Sequence, residues 1–397
     1  MSFLTIEHLP LAGYFALIGY LLFTIAPSLT RRKPSPITLV FFLLALASVG
    51  STWLYMLAYF KRSFADAALR AGVAVQDYST QAWLRDVSLF KEAWEYVCST
   101  PQRWWWSEQL CLWTVGPLTL LMAVEGRRHR IKSLCAYMLL GQVVAISFAQ
   151  SLFFLALSVA PSLPAKVAPT PAPAKSGTAQ PLITRKPPSS LTWWLLAAVI
   201  LGNASVAFAP RTLFSSLFLP NLLLMHAVLV LPLVLRDNKS APMTLSRFYM
   251  NVSIVALRFR WPTLLEIIGK ESDLSLQKLV PRIPQLLEQQ WVILNEHPAQ
   301  QSIGWDVIFT SISALVYLGT GRSPRRADER LSYIVLTLVV LATPLVGVSS
   351  TVGMGLAIRE GRKEAREDAE RKLDETRRAQ AVERMATLGG EANNKRQ

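Results

Sequence analysis

Eight long apolar blocks, almost free of charged residues, constrain this chain more than any other feature. A bilayer core about 30 Å thick takes roughly 20 apolar residues in helical form. Backbone N–H and C=O groups inside lipid must be satisfied within the segment, which favours helices. The sequence therefore predicts an all-α integral membrane bundle of about eight transmembrane helices. The predicted spans are 10–29, 37–60, 107–124, 132–158, 191–209, 217–235, 302–319 and 332–357.

The connecting segments divide the chain into four parts. A Pro/Ala-rich stretch lacks a periodic apolar pattern and is typical of a flexible linker. Charges at helical spacing near the C-terminus predict a solvated helix that gives way to disorder. The predicted parts are a first four-helix membrane group at 1–158, the linker at 159–190, a second four-helix group at 191–358 and the charged tail at 359–397.

Two local features modify this helical pattern. Pro117 and Pro344 lie inside predicted spans and predict local kinks. The stretch 243–257 is too short and too polar to be predicted as a span, and we expect an interfacial or re-entrant helix there.

The charge distribution indicates a lipid bilayer rather than nucleic acid as the partner. The net charge is +15, but the 41 Lys and Arg residues fall outside the apolar blocks. This is the pattern expected when charge is excluded from lipid. With eight spans both termini share one side, side A. Basic loops at 31–33, 127–132 and 322–330 make the opposite side, side B, cytosolic by the positive-inside rule. The basic linker and tail, predicted on side A, argue against this orientation.

Three carboxylates are candidates for a site, because charge placed inside a span is costly. Glu108 opens the third span, Glu125 closes it, and Asp306 lies just inside the seventh. The third and seventh spans run in the same direction, so Glu108 and Asp306 are expected near one membrane face. Glu125 is about 26 Å farther along its helix, at the opposite face.

Aromatic residues flank the first pair of carboxylates. Trp105, Trp106 and Trp113 surround Glu108 in sequence, and Trp305 adjoins Asp306. A carboxyl group in such surroundings spends time protonated, so that it can protonate an epoxide or alkene. Aromatic faces can then stabilise a carbocation. This pattern favours Glu108, Asp306 and, more weakly, Glu125 as catalytic residues. Substrate contacts are predicted for Trp105, Trp106, Trp113, Trp305 and His226.

Structural roles also explain these residues. Tryptophan near a span boundary is often an interfacial belt residue, and a carboxylate in the first turn of a helix often caps it. Glu125 precedes Gly126, Arg127 and Arg128, which favours an interfacial ion pair, and His226 is typical of a satisfied buried histidine. No metal-ligand spacing and no Asp-rich diphosphate motif is present, so neither a metal nor another cofactor is predicted.

Three stretches resemble a fungal multipass membrane family, the membrane-bound terpene cyclases of the ascochlorin and macrophorin type with their uncharacterised relatives. The stretches are WWWSEQLCLW at 104–113, LPNLLLMHAVLVLPL at 219–233 and HPAQQSIGWDVIFTSISALVY at 297–317. The resemblance implies a metal-independent isomerase that closes the terpene chain of a prenylated phenol, a hydrophobic small molecule. It matches the acidic residues to Glu108 and Asp306, with Glu125 weaker. We accordingly expect the endoplasmic reticulum or another internal membrane.

The alternative hypothesis is a non-enzymatic multipass membrane protein of internal membranes, either transporter-like or a scaffold. Scarce polar residues inside the predicted spans count against an ion-coupled transporter. They count less against a scaffold, which can use the charged tail to bind a partner. No feature of the sequence indicates an oligomeric state.

Overall fold

The computed structural model describes residues 9–31, 33–161, 193–234, 243–269, 280–320 and 331–394. Side chains are described within these ranges from residue 12 to residue 381. All regular secondary structure in these ranges is helical, which confirms the all-α membrane bundle. The predicted linker lies almost wholly outside the described residues.

Fourteen helices make up the described part of the chain, if Pro101–Arg128 is taken as one helix. They are α1 Leu9–Leu29, α2 Pro36–Arg70, α3 Thr80–Asp86, α4 Leu89–Cys98, α5 Pro101–Arg128, α6 Leu134–Val143, α7 Ile146–Val159, α8 Trp193–Thr212, α9 Phe218–Val234, α10 Leu245–Ile268, α11 Ile283–Asn295, α12 Pro298–Thr320, α13 Tyr333–Val346 and α14 Val348–Asn394.

Helix α5 forms the centre of the bundle. Its apolar window is completely buried by other helices, among them α7, α10, α12 and α14. A π turn at Thr114–Leu118 surrounds Pro117, whose ring nitrogen cannot donate the usual helical hydrogen bond. The irregularity predicted at Pro117 is therefore present. The start of α5 marks side A of the bundle, and its end at Arg128 marks side B.

The predicted span 132–158 folds as a helical hairpin instead of one crossing. Helix α6 begins beside the side-B end of α5, where Leu134 packs against Gly126. The chain reverses at Val144 and Ala145, so that Gly141 of α6 packs against Ala149 of α7. Helix α7 has 14 residues, about 21 Å, which is short of the bilayer core.

Both ends of this first hairpin lie on side B. Ser158, at the end of α7, bonds Thr38 at the start of α2 at 2.9 Å. The preceding turn is also on side B, because Arg31 donates to the carbonyl oxygen of Arg130 at 3.0 Å. The segment therefore enters and leaves the bundle at the same side, as a re-entrant element.

The predicted span 332–357 is also a hairpin. Helix α13 starts beside the end of α12, where Leu336 packs against Gly319, and the chain reverses at Gly347 with φ +89°. This backbone conformation suits glycine because it has no Cβ. Across the turn, the hydroxyls of Thr343 and Thr351 lie 2.8 Å apart. Pro344 lies in the last turn of α13, just before this reversal.

Helix α10 corrects the interpretation of 243–257 as an interfacial or re-entrant helix. The helix continues to Ile268 and packs antiparallel to both α5 and α14. At side B, Ser246 donates its backbone N–H to Glu364 at 3.1 Å. Toward side A, Arg260 reaches the carbonyl oxygen of Trp105. The helix thus runs the length of the bundle as part of its core.

The two hairpins change the predicted topology. Helix α1 runs from side A to side B, whereas α14 runs along α5 to side B and leaves the bundle there. The described ends of the chain therefore lie on opposite sides, which contradicts the prediction that both termini share side A. Among the helices of the described residues, five are long and apolar enough to cross a bilayer, so a count of eight crossings is not confirmed.

Apolar side chains cover the outside of the bundle. Examples on different helices are Phe23, Leu54, Ile334 and Leu341, which are between 63% and 81% exposed. Exposed apolar surface on this scale is expected where helices contact lipid tails. The protein is accordingly an integral membrane protein in contact with the bilayer.

Candidate functional site at the hairpin tips

The tips of the two hairpins stop at the same level of α5. In the first hairpin, Gln150 of α7 accepts a hydrogen bond from Trp113 at 2.6 Å. The start of α7 is one helical turn before Gln150, and therefore lies near residue 109. In the second hairpin, Gly347 packs directly against Gln109, and Ser349 donates to the carbonyl oxygen of Leu112 at 3.1 Å.

Asp306 of α12 holds the tip of the first hairpin. Its carboxylate accepts the backbone N–H groups of Ile146 at 3.0 Å and Ser147 at 2.7 Å. The first N–H groups of a helix lack partners within the helix, and the helix dipole favours negative charge there. On the other side of the turn, Tyr14 donates to the carbonyl oxygen of Val143 at 2.6 Å. Asp306 is therefore committed to capping α7.

Arg260 of α10 holds the tip of the second hairpin. Its Nε donates to the carbonyl oxygen of Leu345, near the end of α13, at 2.9 Å. Its Nη1 donates to the carbonyl oxygen of Trp105 at 2.8 Å, and its guanidinium lies 4.4 Å from the Trp105 ring centroid. A cation is favoured at a helix C-terminus. The two tips are thus held by charges of opposite sign, each matched to its helix end.

Arg260 is not among the predicted site residues, because it follows the stretch 243–257 and lies outside every predicted span. The local signal that could have found it is the helical continuation to Ile268, which carries Arg260 to the level of Trp105. Its burial depends on carbonyl groups from two other helices, which no local pattern reveals.

Glu108 faces α10 and neutralises Arg260. Its Oε2 lies 3.7 Å from Nη1 of Arg260, and its Oε1 accepts the Thr263 hydroxyl at 3.3 Å. The side chain is buried, and Oε2 has no hydrogen-bond partner in the described part of the protein. Oε2 therefore takes part in the ion pair with Arg260 but accepts no hydrogen bond there.

The structure places Glu108 and Asp306 at a similar level but on different sides of α5. Asp306 contacts α7, the helix toward which Trp113 also points. Trp113 is five residues beyond Glu108, about 140° around the helix at 3.6 residues per turn. The two carboxylates have separate partners and share no described contact.

The predicted substrate-binding tryptophans mostly serve as packing anchors. Trp106 donates to the carbonyl oxygen of Gln290 at 3.2 Å, and Trp113 donates to Gln150. Trp305 meets Trp291 edge-on at 6.1 Å, whereas Trp105 supports the Arg260 guanidinium.

His226 lies apart from these tryptophans, on α9. Its Nδ1 is 2.6 Å from the carbonyl oxygen of Leu222 in the same helix. The ring meets Phe90 and Trp94 of the α4 helix edge-on, at 6.1 Å and 6.5 Å. The structure therefore does not bring His226 to either carboxylate.

Glu125 belongs to a separate charge cluster at side B. It pairs with Arg128 at 2.6 Å and with His129 at 3.1 Å, and Arg128 also pairs with Glu360 of α14 at 2.9 Å. This is the ion pair that the Glu-Gly-Arg-Arg sequence favoured. It joins the end of α5 to α14 where α14 leaves the bundle.

The level of the hairpin tips contains many buried polar atoms without a protein partner. Buried polar groups in native proteins nearly always bond to protein or water. Here, within the described ranges, the atoms without a partner include Ser147 Oγ, Ser151 Oγ, Trp105 Nε1, Glu108 Oε2, Arg260 Nη2, Trp305 Nε1 and the side-chain amides of Gln290 and Gln300. The interior near side A is therefore suited to water or a polar solute.

Comparison of the chain with protein-family models, with curated proteins and with solved structures gives no match.

Proposed function

We propose that this chain is a transporter-like membrane protein in which the polar level at the two hairpin tips takes part in moving a polar solute or proton. One observation carries the proposal. Two hairpins, in which α7 and α13 are each shorter than the bilayer core, enter from side B and stop at the same level, where buried polar atoms lack protein partners within the described residues.

The energetics of backbone groups support this proposal. A helix that ends within the bilayer leaves unpaired N–H and C=O groups, which cost several kcal/mol each in lipid. Such ends occur where protein buries them or where they line an aqueous path, and membrane transporters place substrate sites at broken helices. Asp306 and Arg260 satisfy part of each helix end, and the remaining polar atoms supply a site.

Glu108 is the candidate coupling group. Its Oε2 pairs with the Arg260 guanidinium at 3.7 Å but accepts no hydrogen bond within the described residues. Ionisable residues in membrane interiors often form proton relays. In the proposed mechanism the Glu108 carboxylate alternates between its ion pair with Arg260 and a bound proton. This change alters the contact between Arg260 and the carbonyl oxygen of Leu345 at the second hairpin tip.

The sequence had counted against an ion-coupled transporter because few polar residues lay inside predicted spans. Arg260, Gln290 and Gln300 lie outside those spans in sequence but are buried in the bundle. Their placement removes that objection.

Cysteine accessibility tests the proposal without knowledge of the solute. In a background with Cys98, Cys111 and Cys135 replaced by alanine, the tip variants are Ser147→Cys and Ser349→Cys. Each is treated in oriented membrane vesicles with a membrane-impermeant methanethiosulfonate, applied from side A or side B. A path through the tips predicts rapid modification of both variants, because water must reach this level.

Ala156→Cys, also on α7 and fully buried, is the matched control and should stay unmodified. Tip cysteines as unreactive as this control from both sides would contradict the transporter proposal. That result would favour a static scaffold, with the exposed part of α14 as its partner-binding element.

A second candidate is the terpene cyclase implied by the resemblance, acting on a prenylated phenol in the endoplasmic reticulum or another internal membrane. The observation that favours it is the buried Glu108 carboxylate, whose Oε2 accepts no hydrogen bond in the described part of the protein and which tryptophans flank in sequence. Both Asp306 oxygens already bind α7, so Glu108 would act as the acid alone.

Incubation of membranes containing the protein with a prenylated-phenol epoxide tests this candidate. A cyclase gives a ring-closed isomer, and Glu108→Gln removes it while Asp306→Asn lowers only the amount of folded protein. Absence of the isomer with wild-type protein counts against the candidate for that substrate.

A further inference from the structure

A polar cleft of about 400 Å³ opens at side A, away from the hairpin tips. It lies between the last turns of α2 and helix α4, with the start of α5 beneath. Its lining includes Arg70 of α2, Glu92, Glu95 and Tyr96 of α4, Arg103 of α5 and Phe214.

The floor of the cleft is a rigid stack. The Tyr96 ring has the Arg103 guanidinium 3.9 Å from its centroid and the His297 ring at 4.0 Å. Two groups at these distances cannot share one face, so both faces of Tyr96 are covered. Arg103 is further fixed by Ser99 at 2.8 Å and Glu296 at 3.3 Å. A cationic group is therefore held in place at the base of the cleft.

The walls carry both signs of charge. Glu92 and Glu95 of α4 line one wall, and each has only a long contact with a cation, Arg70 at 3.5 Å and Lys91 at 3.6 Å. Arg70 of α2 supplies a second cation at the rim. Contacts of this length between partly exposed groups contribute little and exchange readily with a ligand.

The cleft lies at the membrane surface. Helix α2 has 35 residues, about 52 Å, which exceeds a hydrocarbon core of about 30 Å. Its apolar part ends near Phe60, so Ser63, Asp66 and Arg70 lie at the level of the lipid headgroups. Phe214, between α8 and α9, is 74% exposed at the rim.

The backbone at Phe214 is unusual. Its φ is +61°, a conformation that is an outlier for a bulky residue. Strained residues of this kind persist where surrounding structure holds them, and they often mark ligand clamps. The strain keeps an exposed apolar ring beside a polar cleft, as suits an amphiphile.

We propose that this cleft binds the headgroup of an ethanolamine phospholipid. The phosphate lies against Arg103 and Arg70, the primary ammonium donates to Glu92 and Glu95, and the glycerol end passes Phe214 toward the bilayer. The cleft volume suits a headgroup rather than a whole lipid.

The charge pattern selects this headgroup over the other common ones. A choline headgroup has no N–H to donate to carboxylates and is bound mainly by free aromatic faces, but the ring next to the glutamates, Tyr96, has both faces covered, and Phe214 lies out at the rim. An anionic glycerol headgroup brings no cation to offset Glu92 and Glu95, whose own cations are at 3.5 Å and 3.6 Å. Ethanolamine supplies an anion for the arginines and a hydrogen-bonding cation for the glutamates.

Lipid titration of the purified full-length protein tests the proposal. Short-chain phosphatidylethanolamine, phosphatidylcholine and phosphatidylglycerol are compared, with soluble phosphoethanolamine as a fourth ligand. Two charge-assisted hydrogen bonds are lost on exchanging ethanolamine for choline, so the ethanolamine lipid should bind at least about tenfold more tightly. Soluble phosphoethanolamine should bind more weakly, because it lacks the part that passes Phe214.

The double variant Glu92→Gln/Glu95→Gln should abolish the preference for ethanolamine over choline, and Arg70→Gln should weaken both lipids. Glu367→Gln/Glu375→Gln in the exposed part of α14 is the matched control and should change neither. Equal affinity for the ethanolamine and choline lipids, an unchanged preference in the double variant, or tightest binding of the glycerol lipid overturns the proposal. Soluble phosphoethanolamine binding as tightly as the lipid overturns the assignment to a membrane lipid.

Discussion

The Asp306 carboxylate on α12 accepts the backbone N–H of Ser147, in the first turn of α7, at 2.7 Å. A residue from one helix thereby caps another whose start lies inside the bundle. The interaction gives an acidic residue in an apolar helix a structural role.

Replacement of Asp306 by asparagine should destabilise the bundle. The amide retains one acceptor but loses the charge that the N-terminus of α7 favours, and a cap with charge-assisted bonds contributes about 1.5–3 kcal/mol. Denaturant unfolding in detergent should show this loss. Asp374→Asn, in the exposed part of α14, is the control and should change the free energy of unfolding by less than about 0.5 kcal/mol.

The Arg260–Glu108 pair should behave as a coupled unit. Arg260→Met alone leaves Glu108 as a buried charge without a counter-ion, which costs about 3–5 kcal/mol, whereas Arg260→Met with Glu108→Leu should recover much of this loss. A double-mutant cycle on the free energy of unfolding measures the coupling. Additive effects of the two single changes would show that the ion pair does not hold the second tip.

Gly347→Ala should weaken the second hairpin. The added Cβ meets Arg260 and Gln109 side-chain atoms at 3.3 Å, and φ of +89° is strained for alanine. We expect a loss of about 1–3 kcal/mol. Thermal unfolding measures this loss. Gly50→Ala, on α2 with open space around the position, should be neutral or slightly stabilising in the same assay.

The topology predicts that the two termini are accessible from opposite sides of the membrane. Epitope tags at the N-terminus and after residue 397, with protease added to sealed vesicles, test this expectation. One tag should be digested and the other protected. The helix before the linker ends on side B, and α14 also leaves at side B, so we expect side B to be cytosolic by the positive-inside rule. Protection of both tags would instead indicate an even number of crossings, with both termini on one side.

His297, just outside α12 at the floor of the cleft, should make stability fall in acid. Burial lowers its pKa below the usual 6.5, as do Arg62 and Arg103, whereas Asp66 acts in the opposite direction. Its Nδ1 accepts the backbone N–H of Ala299 at 3.2 Å, which only an unprotonated nitrogen can do. The unfolded state then binds a proton more readily than the folded state.

The stability that His297 contributes is therefore complete above about pH 6.5 and is lost as the pH falls through the lowered folded-state pKa. Unfolding measured between pH 7.5 and 5 should show this slope. His297→Asn, which keeps an acceptor for Ala299, should flatten it, and an unchanged slope would assign the acid sensitivity to other groups.

Much of the helical architecture could be predicted from the apolar blocks, because their composition alone excludes strands and loops from lipid. The chain reversals at Val144 and Gly347 could not be predicted in the same way. An apolar stretch such as 132–158 has the same composition whether it crosses or turns back, and the turn at Val144 depends on Asp306 and Tyr14 from distant helices. Only Gly347, three residues after Pro344, gave a local sign of the second turn.

The candidate site was predictable in part for a similar reason. Glu108 and Asp306 stood out because buried charge is rare, and topology placed them at one level of the bundle. Which partner each carboxylate meets is a matter of helix rotation, and Arg260 entered the bundle on a helix that the sequence had judged too polar.

The uninterrupted length of α14 has a mechanical consequence. It runs without interruption for 47 residues, about 70 Å, from the Gly347 turn beside Arg260 to a charged end outside the bundle. The Arg128–Glu360 and Ser246–Glu364 contacts hold it where it emerges, and so act as a fulcrum. A protein that binds the outer end of α14 would transmit force along the helix to the buried tip of the second hairpin.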